Sequence, residues 1–174
     1  MILSFALLAA AAPDPFPAPK TPTGVLQISC RQGECMWQQI RTIERVRAGG
    51  GEVLRKLTSR AGTSTHGVMA NPPRRYSPRL RIAWEKAPRV EYVLCSKHRP
   101  TTIFESDGEF VVTRLQLADL AGYEYAAATL YMQICHNIAP GRWSEKQMAR
   151  MGYGEVRNRQ DRYRTLAAAL AAVR

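Results

Sequence analysis

Apolar and polar residues alternate with a period of two over much of the first two thirds of the chain, the signature of half-buried strands. Leu26, Ile28 and Cys30 alternate with Gln27 and Ser29, and Arg31-Gln32-Gly33-Glu34 turns the chain into a second run opening at Cys35. Over 36–46 a helical and a strand period can both be traced, and the adjoining hairpin favours a strand that ends at Gly49-Gly50-Gly51. Val53, Leu54 and Leu57 suit either a helical turn or another strand within 52–60. No apolar period survives over 61–79, which predicts a long loop closing on Pro72-Pro73 and Pro78. Leu80, Ile82 and Trp84 then alternate with Arg81, Ala83 and Glu85. After a turn over 86–89, Val90, Tyr92 and Leu94 alternate again, so these two segments are expected to pair antiparallel. Ile103-Phe104-Glu105 and Phe110-Val111-Val112-Thr113 flank Asp107-Gly108, a strong hairpin signal.

The pattern changes to a helical period further on. Tyr123, Ala127, Leu130 and Ile134 share one face of a helix over 123–136, which Pro140-Gly141 ends. Ser144 with Gln147 three residues later forms a capping-box pattern for a short helix ending near Gly152. The clearest helical arc runs over 155–173, with Val156, Tyr163, Leu166, Leu170 and Val173 on one side and Arg157, Asp161 and Arg164 opposite. These elements predict an α+β fold: an antiparallel sheet of hairpins over 25–115, covered by C-terminal helices and linked by disulfides.

The start of the chain alters the expected compartment. Ile2 opens an apolar run through Ala12 that has signal-peptide length and is too short for a membrane span, and Ala9-Ala10-Ala11 supplies a small-x-small cleavage pattern. No basic residue precedes that run; the first is Lys20. The expected organisation is a signal peptide over 1–11, a Pro-rich disordered leader over 12–24, and a single α+β domain over 25–174, in a periplasmic or secreted protein without a transmembrane segment.

Charge adds a candidate partner. Of a formal net charge of +11, residues 41–99 carry fourteen Lys/Arg against four Asp/Glu. Such asymmetry suggests an anionic partner such as an acidic glycan, a lipid head group or nucleic acid. Arg74, Arg75, Arg79, Arg81, Arg89 and Arg99 are the candidate anion-binding residues; Arg79 and Arg81 share the strand side opposite Leu80, Ile82 and Trp84. The alternative is compositional: Arg outnumbers Lys twenty to five, as GC-rich coding produces without selection for binding.

Four cysteines in an exported chain point to disulfides. Cys30 and Cys35 flank a short hairpin turn and reach disulfide geometry if they directly face one another, so a local bridge is expected there. Cys95 and Cys135 each end an apolar run, and a bridge between them would fasten two buried elements. Each is followed within three residues by a histidine, so the alternative is a metal site of Cys95, His98, Cys135 and His136. Adjacent Cys135 and His136 point in different directions, which counts against that alternative. Nothing in the motifs calls for a cofactor. Ser64-Thr65-His66 and Cys95 with His98 place nucleophile and base types close together, the basis of an alternative hydrolase reading that uses His66 or His98. The catalytic motifs of the common hydrolase families are missing, and a non-enzymatic module is the expectation. The pattern Cys95-Ser96-x-x-x-Pro100, closing with Tyr131-x-x-x-Cys135-His136, resembles small exported bacterial proteins of undefined activity. That resemblance covers about 25–138 and implies an extracytoplasmic, disulfide-containing module. The small periplasmic lysozyme inhibitors are also β-rich and disulfide-linked, but a strongly basic chain would be repelled by a basic lysozyme.

Overall fold

The alternating segments become strands of one antiparallel sheet in the computed structural model, which describes residues 16–20, 24–67, 72–73 and 75–174. The strands are β1 (Leu26–Arg31), β2 (Glu34–Gly49), β3 (Glu52–Thr65), β4 (Ala83–Trp84), β5 (Arg89–Cys95), β6 (Thr101–Ser106), β7 (Glu109–Arg114) and β8 (Arg159–Tyr163). Their order is β1-β2-β3-β5-β6-β7-β8, with β4 also paired to β3. The helices are α1 (Tyr125–His136), α2 (Glu145–Arg150) and α3 (Leu166–Ala171), and a single 3-10 turn, Gly122–Glu124, leads into α1. This is the α+β, disulfide-linked architecture that the alternation predicts. Among the described residues no helix is long and apolar enough to cross a membrane.

The β2–β3 hairpin is the spine of the sheet. Gly50 and Gly51 close it with φ of +60° and +77°, the left-handed pair that a two-residue turn between twisted strands requires. Bulges at Ile40/Thr42 and Arg45/Arg47 bend β2 along its length. β3 pairs with β2 from Glu52 to Thr65, so the expected loop over 61–79 begins only after the strand ends. Its last turn carries Gly62, Thr63 and Ser64, which lack apolar alternation and are held as strand by the ladder to β2.

Two other expectations are corrected. The segments 80–85 and 90–94 do not pair with each other: both pair with β3, Trp84 opposite Gly62 and Arg89 opposite Ser59. They form one interrupted strand along β3, with two extra residues looped out near Lys86-Ala87-Pro88. The expected helix over 155–173 is half strand. Arg159–Tyr163 pairs with β7, and only Leu166–Ala171 is helical, capped by the Thr165 side chain. The open edge of β7 offers a row of backbone partners that outweighs the helical arc.

Both faces of the sheet are covered. Val53, Leu57, Val93 and Cys95 pack with Leu130, Tyr131, Ile134 and Cys135 of α1 and with Met148 of α2. Leu54, Tyr92, Leu94, Ile103 and Val112, which alternate with the first set, pack with Ala169 and Val173 of the α3 segment. Arg55 lies among the first set at 2% exposure. Its guanidinium donates to the carbonyl of Ile134 and, at 2.9 Å, to that of Pro17. The first of these satisfies a carbonyl in the last turn of α1, where no helical N–H follows.

The expected signal peptide lies outside the described residues. Within the expected disordered leader, Phe16 is fully buried in the core, Asn137 Nδ2 donates to Ala18 O, and Lys20 N donates to Asn137 Oδ1. That part of the leader is docked: one aromatic side chain and three backbone groups find partners on the domain.

Candidate ligand cavity

Both expected disulfides are present. Cys30–Cys35 joins directly opposed residues of β1 and β2, and Cys95–Cys135 ties the end of β5 to α1 with Cα atoms 5.5 Å apart. With these sulfurs bonded to one another, the alternative quartet Cys95, His98, Cys135 and His136 has no thiolate to offer a metal. No group of three or more metal-ligand side chains occurs among the described residues.

The Cys95–Cys135 bridge holds a buried polar chain beside it. The Tyr131 hydroxyl donates to Ser96 O at 2.9 Å and accepts from Ser96 N at 3.0 Å. It also meets the Tyr153 hydroxyl at 3.0 Å, and Tyr153 in turn meets His136 Nε2. Since the Tyr131 proton is used on Ser96 O, satisfying every partner requires Tyr153 to donate to Tyr131 and His136 Nε2–H to donate to Tyr153. Burial, with the Lys97 and Arg55 charges nearby, lowers the His136 pKa from its ordinary value to about 4, so the ring is neutral. Burial pushes both tyrosines up. Lys97 lies 4.3 Å from the Tyr153 ring centroid and donates to Met151 O. These groups hold one another and anchor α1 and the 151–153 segment to the end of β5.

The expected hydrolase residues fare differently. His98 is exposed. Ser64 Oγ lies 2.9 Å from His66 Nε2, but the serine is 4% exposed and its oxygen also accepts from Trp37 Nε1 at 2.7 Å. The contact closes the end of the β2–β3 ladder, and among the described residues no third side chain hydrogen-bonds the histidine ring.

Arg99 stands apart from the other candidate arginines. Arg75, Arg79 and Arg81 are exposed on the segment leading to β4, while Arg74 lies outside the described residues. Arg89 grips Glu85 through both Nε and Nη2. Arg99 is at the other end of β3, roughly 35 Å along the strand from the β4 contact at Thr63. There it makes a two-point contact with Glu52, 2.8 and 2.6 Å, and donates to Arg174 O. The Arg99 hydrogen bond holds the Glu52 carboxyl below its ordinary pKa.

A cavity of about 240 Å³ lies between the α1 face of the sheet and the start of α1. Its floor is built by Gln38, Ala61, Glu91, Thr102, Phe104 and Thr113; Glu124, Ala127 and Leu130 roof it, and Ile28 and Met36 close one side. Most of this lining is apolar, because inward positions of five adjacent strands meet the small-residue face of the helix.

Two carboxyls interrupt the apolar wall. Glu91 Oε2 accepts from Gln38 Nε2 at 2.6 Å and Ser59 Oγ at 3.3 Å, and burial raises its pKa. Glu124 is 2% exposed; Oε2 accepts from Ala121 N at 3.1 Å, while Oε1 has no partner. Burial raises the Glu124 pKa against the lowering effect of the backbone N–H groups of Ala121 and Gln116. Thr102 Oγ1, 4% exposed on the floor, is also unpartnered. Buried polar atoms in folded proteins nearly always have partners, so two cavity-lining residues that each carry an unpartnered oxygen make this a candidate place for a ligand group.

Neither glutamate stands out in the sequence. Glu91 occupies the polar side of the Val90-Tyr92-Leu94 alternation and reads as solvent-facing. It is inward because helices cover both faces of the sheet. Glu124 reads as an ordinary helix-start acid, and its one available signal is its place beside an alanine-rich helical face. Comparison with protein-family models, curated proteins and solved structures finds no match. The fold and cavity together define a two-disulfide α+β domain with a partly open, largely apolar cleft that two glutamates line.

Proposed function

We propose that this chain is an exported, non-enzymatic binding module whose cavity beneath α1 takes a small, largely apolar ligand. The observation that carries this reading is that Glu124 and Thr102, each with a buried oxygen that lacks a partner, both line one cavity of about 240 Å³. That volume is below the usual range for drug-sized ligands, so the occupant is smaller. The two disulfides support an oxidising compartment, hence export. Ligand-observed NMR with 2-phenylethanol tests it. Saturable binding is expected, with loss of binding in Ala127→Phe, which fills the cavity from the helix side while the circular dichroism spectrum stays unchanged. Equal binding by the filled variant, or none by the wild type, overturns the reading.

A second surface is supported by a separate observation. Arg79 and Arg81 are exposed while Leu80 and Ile82 between and beyond them are half-buried, so the outward side of this segment is basic. Arginine side chains presented this way can donate paired hydrogen bonds to phosphate or carboxylate, which suits an anionic envelope glycan or lipid head group.

A further inference from the structure

Among the described residues the cavity has acids and no free cation to balance them. Arg89 is the one basic residue among the described residues of its lining, and its guanidinium is committed to the Glu85 carboxylate at two points. An anionic ligand entering here would meet two carboxyls with no compensating donor. A neutral ligand could accept a hydrogen bond from a protonated Glu124 and leave the charge balance untouched. A ligand bearing an ammonium group would do more. It would give Glu124 Oε1 the donor it lacks and relieve the burial cost that holds both glutamates towards their neutral forms.

We infer that the cavity is a site for a small organic cation, a primary amine on an apolar body, with the ammonium held by Glu124 and assisted by Glu91. This rests on the cavity being a ligand site and specifies what enters it. The apolar body would lie against Phe104, Ala127 and Leu130, the nonpolar part of the lining. Thr102 Oγ1 accepts a second ammonium hydrogen and uses the other unpartnered atom. Glu124 lies at the N-terminus of α1, where the helix dipole favours the ionised carboxylate that the ammonium needs. The overall charge of +11 opposes a cation at long range, but solvent-exposed charges are screened over about 8 Å at physiological ionic strength.

Three probes of similar size separate the possibilities on the full chain: 2-phenylethylamine, 2-phenylethanol and phenylacetate, titrated by calorimetry or ligand-observed NMR. The amine is expected to bind at least tenfold more tightly than the alcohol, as a charge-assisted bond to a buried carboxylate implies, and phenylacetate weakest. Glu124→Gln should remove that tenfold preference, weakening the amine by more than it weakens the alcohol. Glu91→Gln, read in the same way, should reduce the preference less. If the alcohol binds as tightly as the amine, or Glu124→Gln leaves the preference intact, the cation inference fails while the cavity reading stands. If none of the three binds, the cavity reading fails and the inference with it.

Discussion

His136 shows how burial sets the behaviour of a single side chain. Its ring sits against Phe16 at a centroid distance of 5.5 Å and at the end of the tyrosine chain, with a pKa lowered to about 4. In the unfolded chain the same ring has its ordinary value of about 6.5. Between those values the unfolded state binds a proton that the folded state refuses, so folding stability falls as pH drops from about 6.5 to about 4 and levels off below. Full transfer of the shift would overstate the loss, because the ring is partly open to water; roughly 1–2 kcal/mol is expected. Glu91 and Glu124, with raised values, act in the opposite sense as pH rises above the ordinary carboxyl range. The contribution of His136 is therefore read as a difference: urea unfolding of wild type and His136→Gln at pH 7.5, 5.5 and 4. The wild type should lose ground to the variant across that series; a constant difference would rule the effect out.

At the scale of elements, the β3–β4 contact depends on an absent side chain. A Cβ added to Gly62 would lie 2.6 Å from Ile82 Cγ2 and 2.7 Å from Trp84 Cε3, distances that real contacts do not reach. Both neighbours are ring or branched groups on a strand that β3 itself positions, so relief requires β4 to shift outward. Gly62→Ala is expected to cost about 1–3 kcal/mol and to raise amide exchange at Ala83, Trp84 and Glu85, whose N–H donates to Ala61 O at 2.9 Å. Unchanged stability and exchange would show that β4 is not seated on Gly62. The same contact gives the segment before β4 its exposed basic side, so the variant also perturbs Arg79 and Arg81 without touching their charge.

For the whole molecule, the disulfides and the surface charge make separate claims. Cys95–Cys135 spans 40 residues in sequence and Cys30–Cys35 spans 5. In the chain-entropy account the first stabilises by about 4 kcal/mol and the second by about 2 kcal/mol. Chemical denaturation of Cys95→Ala/Cys135→Ala should therefore show a loss about twice that of Cys30→Ala/Cys35→Ala, and the first pair should also loosen α1 over the cavity. Equal losses would mean that native packing, not loop closure, decides the difference. The basic segment is tested by retention on an acidic polysaccharide at low and moderate salt. Arg79→Glu/Arg81→Glu should elute at clearly lower salt than wild type if these arginines form the anion surface; identical elution would leave the charge compositional.

The strands β1, β2, β5, β6 and β7, the Asp107-Gly108 hairpin, the 123–136 helix, the Ser144 cap and the cysteine pairings were readable because each rests on local periodicity, turn chemistry or parity of thiols. These are properties of neighbouring residues. The fate of 155–173 was not readable in the same way: its helical arc is real, but the free edge of β7 lies far off in sequence and captures Arg159–Tyr163. The pairing of 80–85 with β3 instead of 90–94 is likewise a choice among distant backbone partners. The cavity was the least legible feature. Glu91 alternates with apolar residues as an outward position would, and only coverage of both sheet faces turns it inward. The sequence by itself determined most of the extended segments, the 123–136 helix and the cysteines that meet. The tertiary structure decided which side of each strand meets water, because burial depends on what packs across the sheet and not on the residues alongside.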